Sequence, residues 1–454
     1  MNKALLVLLS VLLISSFGTY KALSEISSHR NDVEFSQRNI YGDSSVLNGL
    51  ELHFDILGYH KNIVWENDIR FTQNGFVSKS EVQPANKTEH RHYKDKIDKV
   101  TLNLMDNISP DDAELASVME EITHDSVNGQ EYEKTIYIKD YYEYYPLWCF
   151  FSVNDEELIR KYGQSVFYDK NDNNTGLYSI ESYNSRKLTE FLKIGIPENE
   201  TISIEVINHG ISFGNSIGYH VETMSTCSDN MIYFYVNNRC TDGSTVEFGR
   251  GYGIFRIPYG NVEQNNYKGV YKYSGIDIDA DNIDLFYSMD ENEMVKALSY
   301  DEAGRKLVLV TEKEDETWLK VISDEGDLLQ QLSVGEAGDK TDICMQDDYL
   351  VINEKGSYLK LYQLCNGNYE LKINTDSTVM DNACDESHNN FDLSIMRSKY
   401  YYDGKYLTVV KTHNYRSFIL LGVYDNEKLL YAGWHDCNLR GRINWPDDTR
   451  INWK

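Results

Sequence analysis

Basic charge, proline and metal-type cysteine spacing are all scarce in this chain, and each shortage removes a class of function. Its 44 lysines and arginines face 72 aspartates and glutamates, a net charge of -28. Nucleic acid and anionic membrane surfaces are excluded as partners, because neutralising phosphate requires a basic surface. The acidity suits a self-repelling, soluble exterior and cationic ligands. The seven cysteines (149, 227, 240, 344, 365, 384 and 437) include no CxxC pair and no Cys/His spacing of a zinc site, so no metal framework is expected. Their odd number leaves at least one thiol unpaired. Cys227 with Cys240 has the spacing to close a hairpin, and Cys365 with Cys384 a loop. Small, buried, apolar thiols account for most of the others. No phosphate-cradling loop, dinucleotide fingerprint or kinase motif is present, and no cofactor is expected. With six prolines against 35 tyrosines and an aromatic content of 13%, the composition favours pleated, half-buried surfaces over long helices.

Long apolar runs are also missing, save one. Residues 4 to 18, ALLVLLSVLLISSFG, follow Lys3 and the amino terminus, the arrangement of an export segment. Extended to Tyr20 the run reaches 17 residues, the lower limit for a membrane span. Residues 1–20 are expected to be a transmembrane anchor, single-pass, with the bulk of the chain outside the cytoplasm; the alternative is a signal peptide cleaved near Thr19 and a secreted product. Residues 21–46 read as a polar tether, and 47–454 as one extracytoplasmic domain.

Within that domain, residues 50 to 71 alternate in two runs around a turn signal, a β-hairpin pattern. A hydrophilic segment, Val77 to Lys99, interrupts before KVTLNLMDN resumes as a strand. Two short helices are expected. One starts at Ser109 with Asp112 in the capping position and Leu115, Val118, Met119 and Ile122 on one face; the other runs from Asp155 to Tyr162. All else reads as strand and turn.

The last third holds a weak repeat. Residues 300–332, 345–373 and 401–433 each run turn, strand, turn, strand, turn, strand, and aligning Leu307, Leu350 and Leu407 gives spacings of 43 and 57 residues. Blade periods in β-propellers are about 40 to 50 residues, and a loop insertion covers the excess. Each unit carries an apolar run (Val308 to Val310, Leu350 to Ile352, Leu407 to Val410) and then a large apolar partner (Trp318, Leu361, Phe418). Residues 227–260 look like a further blade, and 130–196 like another. On these features the chain resembles the β-propeller superfamily, and the resemblance implies a mainly β domain of five to eight blades. A β-sandwich followed by a second β domain is the competing arrangement.

Several stretches resemble chemical motifs and fail on context. Gly210-Ile-Ser212-Phe-Gly214 matches a nucleophile elbow, yet no helical period follows it. Glu89, His90 and His92 offer no third metal ligand partner beyond a loose hydrophilic segment. Asp277, Asp279, Asp281 and Asp284 begin like a calcium loop, but Asn282 and Ser288 stand where Gly and Glu are required; Asp169, Asn171 and Asn173 fail in the same way. No catalytic or metal residue is assigned. Asp301 to Gly304 and Asp324 to Gly326 read as tight turns between strands.

The densest aromatic stretch is IYIKDYYEYYPLWCFF, 136 to 151. Alternation places Ile136, Ile138, Tyr142 and Tyr144 on one face and Tyr137, Tyr141, Glu143 and Tyr145 on the other. Pro146 ends the pairing, and Trp148, Phe150 and Phe151 begin a second buried strand. Cross-strand packing explains most of the rings. The corner Tyr142, Glu143, Tyr144 and Tyr145 is the candidate ligand-binding site, suited to a sugar or a peptide. The expected function is a binding module for a protein or glycan partner rather than a catalyst. An envelope or extracellular glycan hydrolase and a sensory ectodomain are the alternatives.

Overall fold

A computed structural model describes residues 33–58, 63–84, 100–109, 112–125, 132–153, 178–180, 182–207, 210–214, 218–260, 264–267, 270–273, 278–336, 341–346, 348–354, 357–387, 396–413, 418–439, 441–443 and 450–454. The expected export segment, the helix at 155–162 and the Glu89–His92 and Asp169–Asn173 stretches lie outside them. Among the described residues no helix is long and apolar enough to cross a membrane. The described residues group into two compact units, one drawn from 33–84 and 341–454, the other from 100–336.

The repeat is realised as antiparallel meanders of four strands taken in chain order. In the discontinuous unit, Thr341–Met345, Tyr349–Glu354, Tyr358–Cys365 and Asn368–Asp376 make one sheet; Met396–Tyr402, Leu407–His413, Phe418–Tyr424 and Leu429–Cys437 make another. In the continuous unit, Met294–Asp301, Lys306–Lys313, Glu316–Ser323 and Leu328–Glu336 repeat the pattern. Leu307, Leu350 and Leu407 are each the first or second residue of the second strand of their sheet and are fully buried, as are the apolar runs after them. These strands lose period-two alternation because both of their faces are covered.

Residues 227–260 do belong to such a sheet, Thr223–Cys227, Met231–Val236, Gly253–Pro258 and Asp284–Ser288, with the hairpin Gln264–Tyr267 and Val270–Tyr273 placed before its last strand. No disulfide joins Cys227 to Cys240. Residues 130–196, in contrast, do not form one blade. Tyr132–Tyr137 pairs with Thr201–Ile207, which pairs with Gly210–Gly214, whereas Leu147–Val153 lies between Val100–Asp106 and Tyr178–Ile180.

Three further expectations need correction. The stretch read as tether contains the strand Phe35–Gly42, which adds antiparallel to Leu429–Cys437. Its side chains are mostly exposed, so its own sequence carries little apolar signal and backbone pairing holds it. The hydrophilic segment after Val77 begins with a strand, Gly75–Pro84, at the outer edge of the hairpin sheet of Leu50–Gly58 and Ile63–Thr72. An edge strand needs few apolar residues. Helices also exceed the expectation of strand and turn. The first, α1 (Ala116–Asp125), buries Val118 and Ile122 as its spacing predicts, with Leu115 buried in the 3-10 turn Ala113–Leu115 just before it, and the Asp112 carboxylate accepts the Ser109 N–H at 3.1 Å. Two others, α2 (Ser182–Leu192) and α3 (Thr378–Ser387), were read as strand or turn. On α2 the buried stripe is only Ser185, Leu188 and Leu192, too sparse to show a period.

The sheet of Val100–Asp106 and Leu147–Val153 is also held by side chains on both sides, on the second side beyond the end of its pairing with Tyr178–Ile180. Along one side the N–H groups of Val100, Leu102 and Leu104 donate to Cys227 Sγ, Ser225 Oγ and Thr223 Oγ1 at 3.4, 3.0 and 3.2 Å. The Ser225 hydroxyl also donates back to the Leu102 carbonyl at 3.0 Å. Along the other side Leu147 and Cys149 N–H donate to Thr189 Oγ1 and Ser185 Oγ of α2, at 3.2 and 2.9 Å. Both ladders have the periodicity of their elements, two for the strand and four for the helix.

Two outcomes follow. Ser225→Ala together with Thr223→Val leaves the Leu102 and Leu104 N–H groups unsatisfied, and chemical denaturation should show a loss of about 2–6 kcal/mol, at about 1–3 kcal/mol for each buried donor. Unchanged stability would mean that the ladder contributes nothing. The second concerns His435, whose imidazole is buried between Phe71 and Phe76, with ring centroids at 5.2 and 6.2 Å. Among the described residues its Nδ1 has no hydrogen-bond partner, and Nε2 lies 3.5 Å from the Tyr431 hydroxyl. Burial lowers its pKa to about 4. The unfolded chain therefore takes the proton first, so stability is full above pH about 6.5, falls as pH drops toward about 4, and levels off below that. The loss is about 3 kcal/mol, at about 1.4 kcal/mol per pH unit. Denaturation at a series of pH values should show this limb in the parent and not in His435→Phe.

Candidate functional site

The side-chain ladder ends at the tyrosine corner. Its fourth rung reverses roles: Asp106 Oδ1 accepts the Val221 N–H at 3.3 Å. The antiparallel partner of Asp106 within its own sheet is Leu147, and the Pro146 carbonyl accepts the Asn107 N–H at 3.1 Å. Residues 142–146 and 218–221 are thus brought to the same end of one strand.

The corner is more compact than alternation predicts. The strand stops at Tyr137, a 3-10 turn covers Ile138–Asp140, and the next strand starts at Leu147. A period of two therefore does not run through the four residues. Tyr145 is 1% exposed, its ring edge-on to Tyr219 at 5.0 Å and its hydroxyl donating to the Tyr219 carbonyl at 2.9 Å. It belongs to the core and offers no face to a ligand. Tyr142 is half-buried and donates to Asp112 Oδ2 at 2.6 Å; burial first, and then the bond to that carboxylate, hold its pKa well above the ordinary value. Glu143 is exposed and Tyr144 half-exposed. The Tyr144 hydroxyl is held above its usual pKa by its hydrogen bond to Glu143.

A cation completes this surface. Lys193 follows the last residue of α2, its N–H donating to the Thr189 carbonyl at 3.0 Å. It adopts φ 47°, the left-handed conformation that normally takes glycine at a helix end and costs another residue about 1 kcal/mol. Its ammonium lies 5.6 Å from the Tyr144 ring centroid, within cation–π range. Gly249 is the reason the chain fits there, since a Cβ on it would fall 2.8 Å from Lys193 Cβ.

Beside the corner stands His220, half-exposed, with Nδ1 3.7 Å from Asp106 Oδ2. The loop that carries it is pinned from several directions. Glu200, 2% exposed, accepts the Tyr219 N–H at 3.3 Å, the Tyr219 hydroxyl donates to the Asn237 carbonyl at 2.7 Å, and the Thr241 N–H donates to the Gly218 carbonyl at 2.9 Å. Burial raises the Asp106 pKa, and the Val221 N–H and His220 offset part of the rise. A half-buried acid of raised pKa beside an imidazole is a common functional-site signature.

In structure the chain resembles β-propeller proteins. The Myceliophteria thermophila Cps50 (Swd1) β-propeller domain matches at 9% identity over 56% of this chain and 84% of that one, TM-score 0.22. An oligogalacturonate lyase in complex with manganese matches at 10% identity over 92% and 99%, TM-score 0.30. A post-proline cleaving enzyme from Rickettsia typhi matches at 9% identity over 89% of this chain and 51% of its own, TM-score 0.24. Likeness at this level says nothing of activity or ligand. No protein-family model matches the chain, and no curated protein matches it in sequence.

The discarded motifs have structural roles where they are described. Gly210–Gly214 is a strand. The Asp279 carboxylate accepts from Asn282 at 2.6 Å, Asp281 pairs with Lys187 at 2.8 Å and Asp284 with Arg256 at 2.8 Å, so these carboxylates do not converge, and Asp277 lies outside the described residues. Among the described residues no group of three or more His, Cys, Asp or Glu side chains is disposed to hold a metal ion. Asp301 and Asp324 sit in strand-connecting turns, with Asp324 accepting from Tyr300 at 2.8 Å and pairing with Arg305 at 2.6 Å.

Sequence reading missed Lys193, Asp106 and His220. The alternation of Thr223, Ser225 and Cys227 was a signal for the ladder, but nothing local marked its partner strand. The rigidity of the His220 loop has a direct test. A Cβ on Gly218 would lie 1.7 Å from Glu200 Oε2, so Gly218→Ala must displace a buried carboxylate. A stability loss of about 2 kcal/mol or more is expected in thermal or chemical denaturation, with changed His220 and Tyr145 signals in NMR; parent-like stability and spectra would show that the loop is not pinned.

Proposed function

We propose that this β-propeller-like protein is an extracytoplasmic binding module, anchored by residues 1–20 or secreted after their removal, that takes its ligand at the corner of Glu143, Tyr144 and Lys193. The observation that carries the reading is Lys193, a lysine in a backbone conformation that favours glycine, with its ammonium over a half-exposed tyrosine ring. Non-glycine residues in this conformation are enriched at ligand-binding sites. The surroundings are stiff, since Tyr142 is bonded to Asp112 and Tyr145 to Tyr219, so little conformational entropy is lost on binding. The apolar run behind Lys3 supports the location outside the cytoplasm.

Hydrolysis of an envelope or extracellular glycan is the second reading. The carboxyl of Asp106, whose pKa burial raises, stands beside the His220 imidazole and favours it, as such a pair has the groups for acid–base chemistry.

Binding of the full chain to fractionated envelope components, measured by biolayer interferometry, separates the two. Tyr144→Ala should weaken the interaction by about tenfold, or about 1.4 kcal/mol, with the exposed Tyr41→Ala as a neutral control. If Tyr144→Ala binds as the parent does, the corner is not the site. Glycan cleavage that is lost in Asp106→Asn would move the assignment to the hydrolase.

A further inference from the structure

We infer that the Tyr144 face is a docking point for a lysine side chain of a basic partner peptide, and that Lys193 occupies it in the free protein as an internal stand-in. This rests on the corner being the binding site and names the chemistry of its partner. Three observations converge. The ring of Tyr144 is half-exposed and already holds an ammonium at 5.6 Å, which shows that the face accepts that group. The neighbouring Glu143 carboxylate is exposed and acts on the Tyr144 hydroxyl, so a second anchor for an ammonium lies on the same residue pair. Among the described residues Lys193 forms no ion pair, in a chain of net charge -28 where other lysines find carboxylates, such as Lys139 with Glu198 and Lys187 with Asp281.

Charge complementarity selects the partner. Carboxylates around the corner include those of Asp106, Asp112, Glu114 and Glu143; Asp112 is bonded to Tyr142, Glu114 acts on the same hydroxyl, and Asp106 stands beside His220. Lys139 is matched by Glu198. With Lys193 swung away on its flexible stem, the corner presents a ring and the exposed Glu143 carboxylate, a combination that attracts a cation and repels an anion. A peptide lysine must displace Lys193, so Lys193 sets the affinity by competition. No backbone movement is required, because the displaced side chain is exposed.

The test uses the full chain in detergent and a short lysine–glycine peptide, with its ε-acetylated form and a glutamate–glycine peptide as comparators, followed by fluorescence anisotropy. The lysine peptide should bind and the other two should not. Tyr144→Ala should weaken binding by about fivefold, with Tyr144→Phe close to the parent, since the ring and not the hydroxyl carries cation–π attraction. Lys193→Ala should tighten binding by about threefold or more, beyond the change in Lys428→Ala, which removes the same charge elsewhere on the surface. Equal effects of Lys193→Ala and Lys428→Ala would reduce the attraction to net charge and overturn the inference. Weaker binding in Lys193→Ala, with the glutamate peptide preferred, would keep the corner as the site and overturn the lysine partner. A lysine peptide that binds equally well to Tyr144→Ala would remove the corner itself.

Discussion

The continuous unit depends on one substitution of partners: side-chain hydroxyls and a thiol take the place of a neighbouring backbone. The strand Val100–Asp106 has a paired strand on one side only. On the other, Cys227, Ser225 and Thr223 accept its N–H groups in strict antiparallel order. An unpaired edge strand in the middle of a unit would leave buried donors at about 1–3 kcal/mol each, and would also invite pairing with another chain. The side chains satisfy those donors without requiring the two sheets to merge. The same solution appears across the sheet, where Ser185 and Thr189, one helical turn apart, receive Cys149 and Leu147. Helix α2 is therefore fixed to the strand by polar contacts as well as by Leu188 and Leu192.

The candidate site inherits its geometry from that arrangement. The last rung is Asp106 on Val221, which sets the position of His220. The helix held by Ser185 and Thr189 ends at Lys193, which sets the cation over Tyr144. Tyr145, between them, is committed to the core by its contact with Tyr219. Rings that look equivalent in the sequence are thereby divided into two kinds: those that brace the corner, Tyr142 and Tyr145, and one that faces outward, Tyr144.

Much of the blade pattern was legible. Leu307, Leu350 and Leu407 stand at equivalent places because burial on both faces demands consecutive apolar residues, and Gly and Asp mark the turns between strands. The face of α1 was legible for the same reason, through Leu115, Val118 and Ile122. The strand Phe35–Gly42 was not, because its side chains are largely exposed and what holds it is backbone pairing to Leu429–Cys437, which has no residue code. Residues 130–196 misled because adjacency in the chain was taken for adjacency in a sheet; the strands on either side of the tyrosines join different sheets.

Composition and local pattern alone give a mainly β chain, strongly acidic, with an apolar amino-terminal run and short strands bounded by turns. These follow from local preference and from counting charges, which need no knowledge of distant partners. Only the tertiary structure decided which tyrosine is available, which lysine lies on it, and which histidine and aspartate share its end of the strand. Those choices depend on residues more than a hundred positions apart, such as Leu102 and Ser225, and pairing between distant residues is set by packing and hydrogen bonding across the fold rather than by either stretch alone.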